Sequence, residues 1–208
     1  MNILAAVVGG IWGTVAFTAI AMIALRMRVT QFDLGCLIGE FFLPPGRRAH
    51  ALGLAIHLLN GVVFGLVYMA LWTFFIGYSP VPPELRFFAA AMGAMFGAYH
   101  FGLQTPLLGL AGTRHPRVRR GELTDPGPWA INYGPFAHAT WLLSHMAFGA
   151  VFVLVAGSGF GYGALVAGLV AFIALALVDV FFFRSEFEER PPAVTFLREE
   201  EKVPTERP

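Results

Sequence analysis

Gly46-Arg-Arg-Ala-His-Ala-Leu-Gly-Leu-Ala-Ile-His-Leu-Leu-Asn-Gly-Val-Val-Phe-Gly-Leu-Val67 and Gly134-Pro-Phe-Ala-His-Ala-Thr-Trp-Leu-Leu-Ser-His-Met-Ala-Phe-Gly-Ala-Val-Phe-Val-Leu-Val155 are two versions of one segment. Gly46, Ala49, His50, Ala51, Leu54, His57, Gly61, Val63, Phe64, Leu66 and Val67 recur in register as Gly134, Ala137, His138, Ala139, Leu142, His145, Gly149, Val151, Phe152, Leu154 and Val155. Composition alone would supply roughly two such matches, so the chain contains an internal duplication. Both copies are apolar over a length that crosses a bilayer as a helix, and both carry two histidines one heptad apart.

Working outward, hydrophobic residues make up 57% of the 208 residues and charged residues 13%. Such a surface cannot be wetted, so the reading is an all-α integral membrane protein. Five apolar runs have the roughly 20 residues that a crossing helix needs, at about 3–25, 49–76, 85–110, 134–155 and 162–183. None shows the alternation of a membrane β-barrel. The first run lacks a basic flank and a small-residue cleavage site and is read as a retained helix.

Arginine sets the expected orientation. Arg26, Arg28, Arg47 and Arg48 lie between the first two runs, Arg114, Arg117, Arg119 and Arg120 between the third and fourth, and Arg184, Arg190, Arg198, Lys202 and Arg207 after the fifth. By the positive-inside rule the N-terminus is outside, the C-terminus is cytoplasmic, and the location is a cytoplasmic (inner) membrane. Residues 1–183 then form one transmembrane domain, and residues 184–208 a charged cytoplasmic tail. The formal net charge of +1 gives no reason to expect a nucleic-acid partner.

Between the first two spans, residues 30–43 read as a short interfacial segment with Thr30 as N-cap, ended by Pro44-Pro45-Gly46. Asp33 and Glu40 share a face there and are expected to meet water or loop arginines. The lone Cys36 reads as a small buried packer. The loop 112–132 has the composition of an irregular connection, and Gly157-Ser-Gly-Phe-Gly-Tyr-Gly163 that of a tight external turn. That glycine string follows a membrane helix, not a strand, and has no lysine partner, which excludes a nucleotide loop.

Gly9-Gly-Ile-Trp-Gly13 and Gly93-Ala-Met-Phe-Gly97 are G-x-x-x-G ridges on the first and third spans. The expected architecture is therefore a duplicated helical hairpin, 1-2 and 3-4, as a parallel repeat with a fifth helix added. Its twofold would bring His57 opposite His145 at equal depth, about 12 Å in from the cytoplasmic ends, with His50 and His138 nearer the interface. His100, on the third span, reaches a similar depth.

Ionisable groups at that depth call for a partner, a cavity or a ligand. One reading is haem b held by His57 and His145, with Gly61 and Gly149 leaving room for the macrocycle and His50 and His138 near its propionates, in an electron-transfer or accessory subunit. A second is a single zinc or copper ion on His57, His100 and His145. A third is interhelical hydrogen bonding alone, in a scaffold whose glycine ridges contact a larger membrane complex or a second copy. A small-solute transport path is the fourth. Asp179, the one carboxylate within a span, is expected to pair with Arg184.

No span carries a lysine for a Schiff base, and neither H-x-x-x-H nor H-E-x-x-H occurs, which removes retinal, di-iron and intramembrane-protease chemistry. The strings His57-Leu-Leu-Asn-Gly-Val-Val-Phe-Gly-Leu-Val-Tyr68, Gly93-Ala-Met-Phe-Gly97 and Phe32-Asp-Leu-Gly-Cys-Leu-Ile-Gly39 resemble a family of small prokaryotic membrane proteins of four or five spans. The resemblance implies a packed helical bundle and brings no activity or catalytic residue with it.

Overall fold

The computed structural model describes residues 3–77, 81–159 and 161–182, and among these it is helical without strands. The helices are α1 (Ile3–Arg26), α2 (Leu34–Gly39), α3 (Arg47–Phe75), α4 (Arg86–Arg114), α5 (Pro116–Arg119), α6 (Ala137–Gly157) and α7 (Tyr162–Phe182). Two 3₁₀ turns, Pro83–Leu85 and Pro128–Tyr133, complete the chain path. Tyr78, Arg184 and the expected tail lie outside the described residues.

Four helices, α1, α3, α6 and α7, are long and apolar enough to cross a membrane. The third long helix in sequence, α4, has the length but not the apolarity, because Tyr99, His100, Gln104 and its glycines dilute it. It nevertheless runs beside α6 from one end of the bundle to the other, with Gly93 against Gly149 and Gly97 against His145. The connections 27–46 and 115–136 meet at one end, where the Gln31 N–H donates to the Tyr133 carbonyl at 2.8 Å. At the opposite end the Val81 N–H donates to the Gly157 carbonyl at 3.1 Å. Both arginine-bearing connections thus share one end of the molecule.

Absent side chains set the helix crossings. A methyl group on Gly10 would lie 2.5 Å from the Gly61 carbonyl oxygen, and one on Gly93 would lie 2.3 Å from that of Gly149. The hairpins α1/α3 and α4/α6 therefore cross through the same kind of glycine-on-glycine contact. Gly9 and Gly13 meet Phe152 and Phe148 of α6, so the expected G-x-x-x-G ridges are used inside the chain and not for an outside partner. With α6, α3 and α7 packed around it, α1 is central. Phe74 and Phe87, 81% and 88% exposed, point outward as lipid-facing rings do.

The segment after α1 packs against the helix bundle. Asp33, not Thr30, caps α2, its carboxylate accepting the Cys36 N–H at 2.9 Å, while the Thr30 hydroxyl accepts the Phe32 N–H at 3.0 Å. A methyl on Gly39 would lie 1.7 Å from the Ala49 carbonyl and one on Gly53 1.9 Å from that of Gly35, so α2 lies directly on the first turns of α3. Glu40 meets the expected loop arginine, pairing with Arg117, although burial still pushes its carboxyl above the usual range. The loop expected to be irregular contains α5 and the Pro128–Tyr133 turn, which tucks Ala130 and Tyr133 into a small core with Phe32, Phe101 and Trp141.

His115 ties the two connections together. Its Nε2–H donates to the Leu37 carbonyl at 3.1 Å and its Nδ1 accepts the Arg117 N–H at 3.2 Å, an arrangement only the neutral ring can make. Burial lowers its pKa below the ordinary imidazole value, with the Leu37 bond opposing. A group held low when folded stabilises fully above its unfolded value, and that stability is lost as pH falls through the folded one. Amide exchange in 27–46 and 115–136, corrected for intrinsic rate, is expected to accelerate between about pH 7 and pH 5 in the native chain and not in His115→Gln. The same acceleration in the variant would remove His115 as the cause.

Candidate functional site

Because α3 and α4 scarcely touch through their backbones, a cavity of about 480 Å³ opens between them. Phe17 of α1 and Trp141, His145 and Phe148 of α6 form its back wall, and α2, Phe41 and His115 close it at the loop end. Towards the opposite end the gap is bridged by aromatic side chains: Phe64 lies 3.8 Å from His100, ring centre to ring centre, and the Tyr68 hydroxyl is 3.3 Å from His100 Nδ1. The lining is apolar and aromatic. Its polar members include His57, Asn60, His100, Gln104 and His145.

His57 and His145 both line this cavity, and His100 joins them. His100 and His145 stand edge to face at 4.8 Å. Phe17 lies 4.9 Å from His57 and 4.9 Å from His145. A ring equidistant from two imidazoles lies in the plane midway between them, which is the plane that a macrocycle with two axial histidines would fill. Haem between this pair would have to displace Phe17.

Hydrogen-bond accounting fixes what the rings present. His145 Nδ1 is 2.8 Å from the Trp141 carbonyl, which can only accept, so Nδ1 carries the proton. In the neutral ring Nε2 is then the lone-pair atom, 2.9 Å from the Gln104 amide, whose NH₂ must be the group facing it. His57 Nε2 and His100 Nε2 are buried and have no hydrogen-bond partner among the described residues. Buried polar atoms are normally satisfied, so these two mark where a ligand's polar atoms would be welcome.

Of the remaining sequence candidates, Gly61 lines the cavity and the others fall elsewhere. His138 is exposed on the first turn of α6, away from the cavity. The side-chain space at Gly61 is filled by Thr14, whose Oγ1 would be 1.6 Å from a methyl there, and that at Gly149 by the Gly93 carbonyl at 1.9 Å. Neither glycine leaves room for a macrocycle. The ring nitrogens of His57, His100 and His145 do not converge: among the described residues the group whose donor atoms all lie within 4.8 Å of one another is Asp33, Cys36 and His50.

That second cluster sits at the loop end. His50 Nε2–H donates to Asp179 Oδ2 at 2.8 Å, so Asp179 has a histidine for a partner, where Arg184 was expected. Cys36 Sγ is 3.3 Å from His50 Nδ1, which makes it more than a packing residue. Asp33 Oδ1 is 3.5 Å from the same nitrogen, and burial pushes the Asp33 carboxyl up while His50 pulls it down. A methyl on Gly35 would lie 2.7 Å from the His50 ring, so only glycine allows the imidazole to lie across α2. Between the cluster and the cavity is a void of about 30 Å³, enough for one water, lined by Thr18, Asp33, His57 and Asp179 among others. Each of these four residues has a buried polar atom without a hydrogen-bond partner among the described residues.

The duplication pointed to the histidines but not to Phe17, Gln104, Asp33 or Cys36, which come from outside the repeated segments. Comparison with protein-family models, curated protein sequences and solved structures found no match to the chain.

Proposed function

We propose that the protein is a five-span membrane binding protein whose α3/α4 cavity holds a lipid-soluble molecule with a flat, hydrogen-bonding head, of the quinone or quinol class. The observation that carries this is an aromatic cavity of about 480 Å³ with His57 and His100 Nε2 unpartnered among the described residues. Pockets of this size, mostly apolar with a few convergent polar groups, suit ligands of that size class. Leaving two buried ring nitrogens unsatisfied costs about 1–3 kcal/mol each, and the carbonyl or hydroxyl oxygens of a quinoid head would offset it. Stacking on Phe17, Phe64 and Trp141 would hold the ring.

The span count and orientation belong to the same proposal. The path of α4 beside α6 supports a fifth crossing, and the shared arginine-rich end supports a cytoplasmic loop face. Tyr99, His100 and Gln104 lower the apolarity of α4, and His100 and Gln104 are there to line the cavity. An electron-transfer role through haem would need Phe17 to swing out, which makes it the weaker reading.

Trp141 lines the cavity and provides the probe. Titrating detergent-purified protein with a short-chain quinone should quench its fluorescence saturably at one equivalent. His57→Phe and His100→Phe should each weaken binding about 5–30-fold, the equivalent of about 1–2 kcal/mol for a lost hydrogen bond. Unsaturable quenching, or affinity unchanged in both variants, would sink the reading, and a Soret band in the purified protein would replace it with haem.

A further inference from the structure

We propose that Asp33, Cys36 and His50 form a site for a divalent transition-metal ion of the zinc type, with Asp179 orienting His50 from behind. The site is separate from the cavity and does not depend on what the cavity holds. Three donors of three kinds, carboxylate oxygen, thiol sulfur and imidazole nitrogen, come within 4.8 Å of one another. With zinc bonds of about 2.0–2.3 Å, donors on one tetrahedral ion stand about 3.4–3.6 Å apart. The sulfur is 3.3 Å and the carboxylate oxygen 3.5 Å from His50 Nδ1.

Direct hydrogen bonding accounts for the sulfur contact but not for the carboxylate one. A charge-assisted N–H to carboxylate bond closes to about 2.7–2.9 Å, and 3.5 Å is beyond it. Because Nε2 is the nitrogen that donates to Asp179, a neutral ring presents a lone pair at Nδ1; without metal the Cys36 thiol donates to it, and with metal the ion would take that lone pair, the thiolate and the Asp33 oxygen together. A carboxylate behind a histidine, at 2.8 Å here, is the arrangement that fixes the tautomer of a metal-ligating imidazole.

An independent observation points the same way. The Asp33 side chain is only 9% exposed; its Oδ1 is the oxygen 3.5 Å from His50, and its Oδ2, without a hydrogen-bond partner among the described residues, is free to turn to an ion. A divalent ion offsets the charges of this carboxylate and of the Cys36 thiolate, which would otherwise be buried together beside Asp179. On binding, the thiol proton leaves to solvent as the sulfur–metal bond forms. Three protein ligands leave one coordination position open.

The test uses full-length protein in detergent, stripped with a chelator and titrated with Co(II). One equivalent should produce a near-ultraviolet cobalt–thiolate charge-transfer band that Zn(II) abolishes. The band should be absent in Cys36→Ser and unaffected in His138→Ala. Asp179→Asn should weaken Zn(II) binding by about 10–100-fold. Since Cys36 is the one thiol in the chain, a second measurement needs no variant: Zn(II) should slow its alkylation at least tenfold, and chelator should restore the rate. Folded protein that shows no charge-transfer band and no protection of the thiol overturns the site, as does a band that survives in Cys36→Ser.

Discussion

Gly149→Ala is expected to cost more than about 3 kcal/mol and to remove most of the folded protein from a detergent extract. Adding volume to a packed core costs about 1–3 kcal/mol when neighbouring side chains can shift. Here the new methyl would lie 1.9 Å from the Gly93 carbonyl oxygen, and in the other direction a Gly93 methyl would lie 2.3 Å from that of Gly149. Both obstacles are backbone, so no rotamer change relieves them and α4 must move off α6. The interface has no slack one turn away either, where a methyl on Gly97 would meet the His145 carbonyl at 2.0 Å. Gly163→Ala is the matched control. Gly163 is in the first turn of α7 with no atom within 4 Å of its missing methyl, so alanine there should be neutral or stabilising by about 0.5–1 kcal/mol. Thermal aggregation followed by size-exclusion chromatography reads both, and a midpoint for Gly149→Ala within a few degrees of the native chain would show that the crossing is looser than described.

The same interface shows how much of the molecule was legible beforehand. Hydropathy placed α1, α3, α6 and α7 as membrane helices because their apolar runs are continuous, and it described α4 least well because His100 and Gln104 face a cavity and not lipid. The repeat singled out His57 and His145, and both line one cavity. It could not separate His50 from His138. Those two are equivalent in sequence, but of the two repeat helices it is α3 that α2 and α7 pack against, so His50 is buried against Asp179 while His138 remains exposed on α6. Gly61 and Gly149 illustrate a further limit: periodicity says which face of its helix a glycine occupies, not whether a cofactor or another backbone will come to that face. Asp33, expected beside Glu40 on a face towards water or arginine, instead caps α2 and lies buried beside His50, and Phe17 carried no signal beyond being aromatic.

His50→Leu in metal-free protein should lower stability by about 3–5 kcal/mol, the usual result of removing one partner from a buried ion pair or its hydrogen-bonded equivalent. Asp179 is 4% exposed and its Oδ1 has no hydrogen-bond partner among the described residues, so losing the bond from His50 Nε2 leaves a buried carboxyl group without the donor that satisfies it. Leucine is close to histidine in volume, so the deficit is electrostatic and not a cavity. Asp179→Leu should also destabilise, because it leaves His50 beside Asp33 without its anchoring acceptor. The double variant separates these terms. Replacing both partners by apolar side chains of similar size often restores stability, so His50→Leu/Asp179→Leu should recover at least half of the loss seen in His50→Leu, giving a coupling energy above about 1 kcal/mol. Additive losses would mean that the two residues contribute independently and that the 2.8 Å contact does not hold α7 to α3. A recovered double variant would still fail to bind Co(II), because the nitrogen ligand is gone. That separates the two roles of His50, as the polar tie that seats α7 and as the donor that would hold a metal ion.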